Sequence, residues 1–185
     1  RTGVLMKVVR TNLSGVLAIE PQVFADDRGY FFETFNLQKF RNATGAMVNF
    51  VQDNQSYSKA KVLRGLHYQI EQAQGKLVRV VSGAVCDVVV DLRRSSPTFA
   101  QWTTVDLNAE NQRMLWVPAG CAHGFVVTGD HAVFLYKVTD YYAPQHERTI
   151  LWNDPALGVK WPVADPLVNA KDAAGLPFAK AQTYA

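Results

Sequence analysis

The chain has 185 residues, 48% of them hydrophobic and 19% charged, an ordinary globular composition that is long enough to bury a core and short enough for one domain spanning 1–185. A net charge of +3 without any block of like charges argues against a nucleic-acid or membrane-surface footprint, and no apolar run nears the ~20 residues needed to cross a bilayer. Cys86 and Cys121, the two cysteines, have neither the number nor the spacing of a disulfide framework or a zinc site. With no signal-peptide pattern the expected location is cytoplasmic, and residues 1–5, ahead of Met6, read as an added leader.

Strand signals dominate from the start. Val16–Phe24 and Tyr30–Phe35 are the first, rich in β-branched and aromatic residues and separated by a polar turn. Leu37–Ala43 follows Asn36, a good N-cap, and precedes Gly45, a good C-cap, which predicts a short helix. Phe50–Ser56, Lys76–Val81, Ala84–Leu92, Phe99–Leu107 and Gln112–Val117 continue the strand pattern. Ser82-Gly83 predicts a hairpin between its flanking strands, and Thr128-Gly129-Asp130 predicts another between Gly124–Val127 and Ala132–Thr139. From Asn153 onward four prolines predict an irregular wrap over one end, with one short helix at Asn169–Ala174. Many short strands at close spacing predict an all-β sandwich or barrel.

Several polar residues stand inside apolar strand segments, where a solvent-facing pattern does not explain them. In Val62-Leu63-Arg64-Gly65-Leu66-His67-Tyr68-Gln69, His67 and Gln69 share one strand face, and Gly65 permits a bulge or close approach. A lone strand histidine is more often a structural residue; Arg64, Lys76 and His123 in comparable settings raise its standing. Pro118-Ala119-Gly120 forms a tight turn that delivers His123 to an apolar strand, a pattern similar to the cupin barrels, where that histidine faces the interior. A cupin metal site resembles two histidines one residue apart, a later glutamate and the later histidine. Here Gln69 stands in the second position, and a neutral amide oxygen is a weak ligand for a divalent transition metal. A metal is disfavoured, although Glu71 and His123 remain. Tyr136, in Phe134-Leu135-Tyr136-Lys137, is by default a core or edge residue; facing a histidine across a cavity, its phenol serves as a proton donor. Arg28, in the polar turn before Phe31 and Glu33, either holds a phosphate bidentately or pairs with Asp26 or Glu33 at the surface.

Read together, these segments resemble the dTDP-4-dehydrorhamnose 3,5-epimerase family, a metal-free branch of the cupin jelly rolls. The resemblance runs from about Val16 to Pro177. It rests on Phe24–Gly29, Val51–Asn54, Leu63–Gln69, Gln74-Gly75-Lys76, Pro118-x-Gly120-x-x-His123-Gly124-Phe125, Tyr136-Lys137, Ile150–Asp154 and Ala170-Lys171-Asp172, in that order and spacing. Gln55, Cys121 and a slightly short Ile70–Gln74 loop depart from the family pattern, without touching the acid or the base.

The resemblance implies a cupin-like jelly-roll fold and a cytoplasmic homodimer acting on a dTDP-keto-sugar, with neither cofactor nor metal. It implies that His67 is the base, oriented by Asp172, and that Tyr136 is the acid on the opposite face. Lys76 is implied to stabilise the enolate oxygen, supported by His123 and Asp87. Arg28 and Arg64 are implied to bind the diphosphate, and Phe31, Glu33, Gln52, Asn54, Tyr142, Glu147 and Lys171 to contact the sugar or nucleotide. Three readings stay open beside the double epimerase: a mono-epimerase on a related dTDP-4-keto-deoxysugar, a non-catalytic sugar-nucleotide-binding jelly roll, and a metal-dependent cupin.

Overall fold

The β-branched and aromatic runs form eleven strands within residues 6–185, the part of the chain that the computed structural model describes. The reading of residues 1–5 as a leader lies outside these described residues. In chain order the elements are β1 (Lys7–Arg10), β2 (Leu17–Glu20), β3 (Phe24–Asp26), β4 (Gly29–Phe31), α1 (Leu37–Thr44), β5 (Gln52–Lys59) and β6 (Leu63–Gln69). They continue with β7 (Lys76–Asp91), β8 (Trp102–Asn108), β9 (Met114–Val117), β10 (Cys121–Val138), β11 (Glu147–Thr149) and α2 (Ala170–Ala173).

Two long strands organise the fold. β7 and β10 pair antiparallel from Lys76↔Val138 to Asp91↔Cys121, and each changes its other neighbour halfway. Early β7 pairs with β9 and late β7 with β8; early β10 pairs with β6 and late β10 with β5. The sheet thereby folds over itself into two layers, β1-β2-β9-β7-β10-β5 and β8-β7-β10-β6-β11. This is the expected all-β, cupin-like jelly roll.

The two expected hairpins are corrected by this arrangement. Neither Ser82-Gly83 nor Thr128-Gly129-Asp130 reverses the chain; β7 and β10 run through both, with register shifts between them. Gly83 sits at φ +78°, where a Cβ would fall 1.8 Å from the His131 carbonyl oxygen. A bulge adds twist and bends a strand without ending it, so these glycines mark the fold-over of the layers. The expected Val16–Phe24 strand is also split, because Pro21 cannot donate to the ladder and β2 stops at Glu20. Only the first residues of Tyr30–Phe35 are strand, and they pair with β3 in a two-stranded hairpin apart from the main sheet.

Between the layers lies the main core, with Val78, Val80, Val85, Val89, Leu115, Phe125, Val127 and Phe134 from the two long strands and their neighbours. Both outer faces are covered too, which explains why β7 reads as a continuous apolar run rather than an alternating one. On one layer α1 seats fully buried Phe40 against Ile19, Leu77, Met114 and Trp116. Asn36 caps α1 by accepting from Lys39 N–H, and Gly45 closes it in the left-handed region, as expected. On the other layer the C-terminal wrap lays Leu157, Trp161, Phe178 and Tyr184 over Leu66, Tyr68, Val88 and Val90. Among the described residues no helix is long and apolar enough to cross a membrane.

Candidate active site

β6 presents Leu66 and Tyr68 to the C-terminal wrap and leaves His67 facing the interior, directly across the ladder from His123. α2 brings the carboxylate partner. Asn169 accepts the Asp172 N–H at 2.7 Å, and this cap starts the helical turn that aims Asp172 inward. Asp172 is fully buried, with Oδ1 2.6 Å from His67 Nε2 and Oδ2 accepting the Gly65 N–H at 3.1 Å. Burial alone raises the Asp172 pKa, but the hydrogen bonds and charge of His67 and the Gly65 N–H outweigh it and keep the carboxylate below its ordinary value. The dyad is therefore a histidine ring held by a carboxylate that favours its ionised form.

A second pair lies deeper. His123 Nε2 is 2.8 and 2.9 Å from the two oxygens of Asp87, which is fully buried on β7. Lys76, at the start of the same strand, is also buried, and desolvation lowers its pKa from 10.5 to about 8 against the opposing pull of Asp87 and Glu147. Burial raises Asp87, offset in part by His123 and Lys76. On late β10, Tyr136 follows Phe134 along one face, and the His123, Phe134 and Tyr136 rings stand 6.1 Å apart in sequence. Tyr136 belongs to the layer facing that of His67, since late β10 pairs with β5 while His67 lies on β6. Burial raises its pKa, with Glu147 and Tyr142 adding to the effect, so the phenol keeps its proton at neutral pH.

Polar side chains from β5, β11 and α2 form a hydrogen-bonded rim. Gln52 donates to Asn54 Oδ1 (2.9 Å) and accepts the Tyr142 N–H (3.1 Å); the Tyr142 hydroxyl donates to Glu147 Oε2 (2.9 Å). Lys171, beside Asp172, donates to the same Glu147 oxygen at 2.5 Å. Although burial raises Glu147, these bonds to Lys171 and Tyr142 hold it below its ordinary value. Arg64 donates through Nε to buried Ser58 Oγ (2.9 Å) and through Nη2 to the Tyr57 carbonyl (3.3 Å).

The structure thus brings together His67, Asp172, His123, Asp87, Lys76, Tyr136, Gln52, Asn54, Arg64, Tyr142, Glu147 and Lys171 around one interior. It does not bring Arg28, Phe31 or Glu33 to it within the protomer. Arg28 takes the surface alternative, an ion pair with Asp26 at 2.6 Å; Phe31 is 70% exposed on β4; Glu33 pairs with Lys39 near α1. Gln69 spends its amide on backbone groups, and exposed Glu71 faces His146 at 3.7 Å, so neither joins His67 and His123 in a ligand set. Among the described residues no cluster of three or more His, Cys, Asp or Glu is placed to hold a metal ion. Sequence reasoning missed Ser58 and Asn169. An Asn just ahead of a short helical segment is a cap signal that pointed to the second; nothing local pointed to the first.

A jelly roll that carries a partly buried His–carboxylate dyad on one layer, a protonated phenol on the facing layer and a buried lysine on a strand that both layers share is equipped for acid–base chemistry of the cupin type. The family model for dTDP-4-dehydrorhamnose 3,5-epimerase matches residues 10–180. The chain is 57% identical to the dTDP-4-dehydrorhamnose 3,5-epimerase of Pseudomonas aeruginosa over 97% of its length and 99% of that protein. The crystal structure of dTDP-6-deoxy-D-glucose-3,5-epimerase from Legionella pneumophila, in complex with dTDP-4-keto-L-rhamnose, is 45% identical with a TM-score of 0.93, covering 96% of this chain and 95% of that one. A 3'-monoepimerase from Streptomyces bikiniensis in complex with dTDP-quinovose is 35% identical with a TM-score of 0.85, covering 91% and 86%. The chain belongs to the dTDP-4-dehydrorhamnose 3,5-epimerase family.

Proposed function

We propose that this enzyme inverts C3 and C5 of dTDP-4-dehydro-6-deoxy-D-glucose to give dTDP-4-dehydro-L-rhamnose, on the route to dTDP-L-rhamnose. The observation that carries this reading is the 2.6 Å His67–Asp172 dyad on one layer with protonated Tyr136 on the layer opposite. A proton next to a ketone is only weakly acidic. Its removal needs a base and a stabilised oxyanion, and inversion needs the new proton to arrive from the other face. His67 takes the proton, and Asp172 stabilises the imidazolium as it forms. Lys76 stabilises the enolate oxygen, with the His123–Asp87 pair behind it. Tyr136 returns a proton from the opposite side. The chemistry asks nothing of a cofactor.

Arg64 holds the diphosphate, and Gln52, Asn54, Tyr142, Glu147 and Lys171 contact the sugar or nucleotide. Arg28, Phe31 and Glu33 stand apart from the cluster of their own protomer, the first two on a hairpin whose Phe24, Tyr30 and Phe31 are all more than half exposed and the third just after it. We read them as reaching the site of a second copy in a homodimer, each chain acting as one domain in the cytoplasm. The same acid and base serve a mono-epimerase, a reading that the likeness to the Streptomyces bikiniensis enzyme keeps in view. NMR of the sugar after turnover in D₂O decides: deuterium at both C3 and C5 of an L-configured product is expected, and deuterium at one carbon overturns the double inversion.

A further inference from the structure

Gln69 lies two residues beyond His67 on β6, buried to 3% exposure. Its amide has a single orientation that suits its neighbours. Nε2 donates to the carbonyls of Gln72 (2.8 Å) and Tyr141 (3.2 Å), and Oε1 accepts the Ala143 N–H (2.8 Å). Two of these three groups flank Tyr142. The Tyr142 N–H between them goes to Gln52 Oε1. The segment Tyr141–Ala143 belongs to no strand or helix, and the two glutamine side chains hold three of its backbone groups, beside Asp140 Oδ1 on the Tyr141 N–H and the His146 N–H on the Ala143 carbonyl. The Tyr142 residue itself is 54% exposed, and among the described residues its hydroxyl hydrogen-bonds only to Glu147. Where its ring stands therefore depends on how its backbone is clamped. A histidine at 69 has one donor and one acceptor and cannot make these three bonds.

We propose that Gln69 is a positioning residue that acts through Tyr142, fixing this aromatic ring at the rim and so setting affinity for the nucleotide sugar rather than the rate of proton transfer. The proposal rests on the reading of Tyr142 as a substrate contact. A buried amide with three backbone partners rigidifies what it ties together, and a contact remote from the reacting carbons contributes equally to ground and transition states.

The test is a KM and kcat comparison, with and without Tyr142→Ala, in purified full-length enzyme. Gln69→Met keeps length and removes all three bonds; Gln69→Glu keeps the acceptor for Ala143 N–H and removes the donors, and serves if the first variant fails to fold. Either change is expected to raise KM about tenfold with kcat within about twofold, the scale of one or two lost hydrogen bonds. In the Tyr142→Ala background the same change should alter KM less than about twofold, because coupled residues are not additive. Full additivity, or a fall in kcat with KM unchanged, overturns the proposal while leaving the role of Tyr142 intact. A Tyr142→Ala enzyme with unchanged KM overturns that role, and the proposal with it.

Discussion

Replacing Asp172 by Asn removes one charge from the dyad and almost no volume. In the native enzyme the carboxylate is fully buried, 2.6 Å from His67 Nε2, and also accepts the Gly65 N–H. In the proposed reaction His67 takes a proton from the sugar, and the imidazolium forms beside a full negative charge. Two unit charges ~4 Å apart attract by about 4 kcal/mol at an effective dielectric of ~20. The His67 side chain is 29% exposed, so solvent screening reduces this toward ~2 kcal/mol, the lower end of what the partner is worth. The amide remains a neutral hydrogen-bond partner, but its NH₂ group faces either the Gly65 N–H or the ring nitrogen. The expected loss is therefore roughly 30- to 1000-fold in proton abstraction. The assay is the rate of deuterium wash-in at C5 by NMR in D₂O, with dTDP affinity measured by calorimetry on the same preparation. Exchange slowed within this range with dTDP binding unchanged supports the dyad. Exchange within about threefold of the unsubstituted enzyme refutes it.

Lys76 gives a pH signature with opposite signs in activity and stability. Its charge is lost as pH rises through about 8, so kcat/KM should fall there, and Lys76→Arg should shift that limb upward. Between about 8 and the ordinary 10.5 the unfolded chain holds the extra proton, so this group adds stability as pH rises through that window. Denaturant midpoints at pH 8 and 10, compared with those of Lys76→Met, measure it; a contribution that falls with pH contradicts the burial of an unpaired ammonium. Tyr136→Phe removes the proposed acid and leaves the proposed base, so net inversion should drop at least ~100-fold while exchange at C5 falls less. Equal loss of both would reassign Tyr136 to substrate binding.

Local signals were sound wherever one element supplies its own reasons. Asn36 and Gly45 bound α1 because a cap is made within a few residues. The inward face of β6 was legible because side-chain alternation is a property of the strand itself. The glycine turns misled for the opposite reason: Ser82-Gly83 in isolation is a hairpin, and only the matching interruption on β10 turns it into a shared bulge. Residues 24–33 were legible as a polar turn and a strand, but not as a hairpin standing off the sheet.

By itself the sequence determined an all-β chain and the family, and it supplied the residue types proposed for the acid–base site, Gln69 in place of a second histidine among them. Those are carried by composition, alternation and motif order, which are local or one-dimensional. The tertiary structure alone decided which residues meet. His67 and Asp172 are 105 positions apart, and His123 and Asp87 are 36 apart. Their contact depends on the fold-over of β7 and β10 and on the C-terminal wrap returning α2 to β6. Such contacts are set by how layers pack, a free energy summed over the whole core, and no window of sequence contains it.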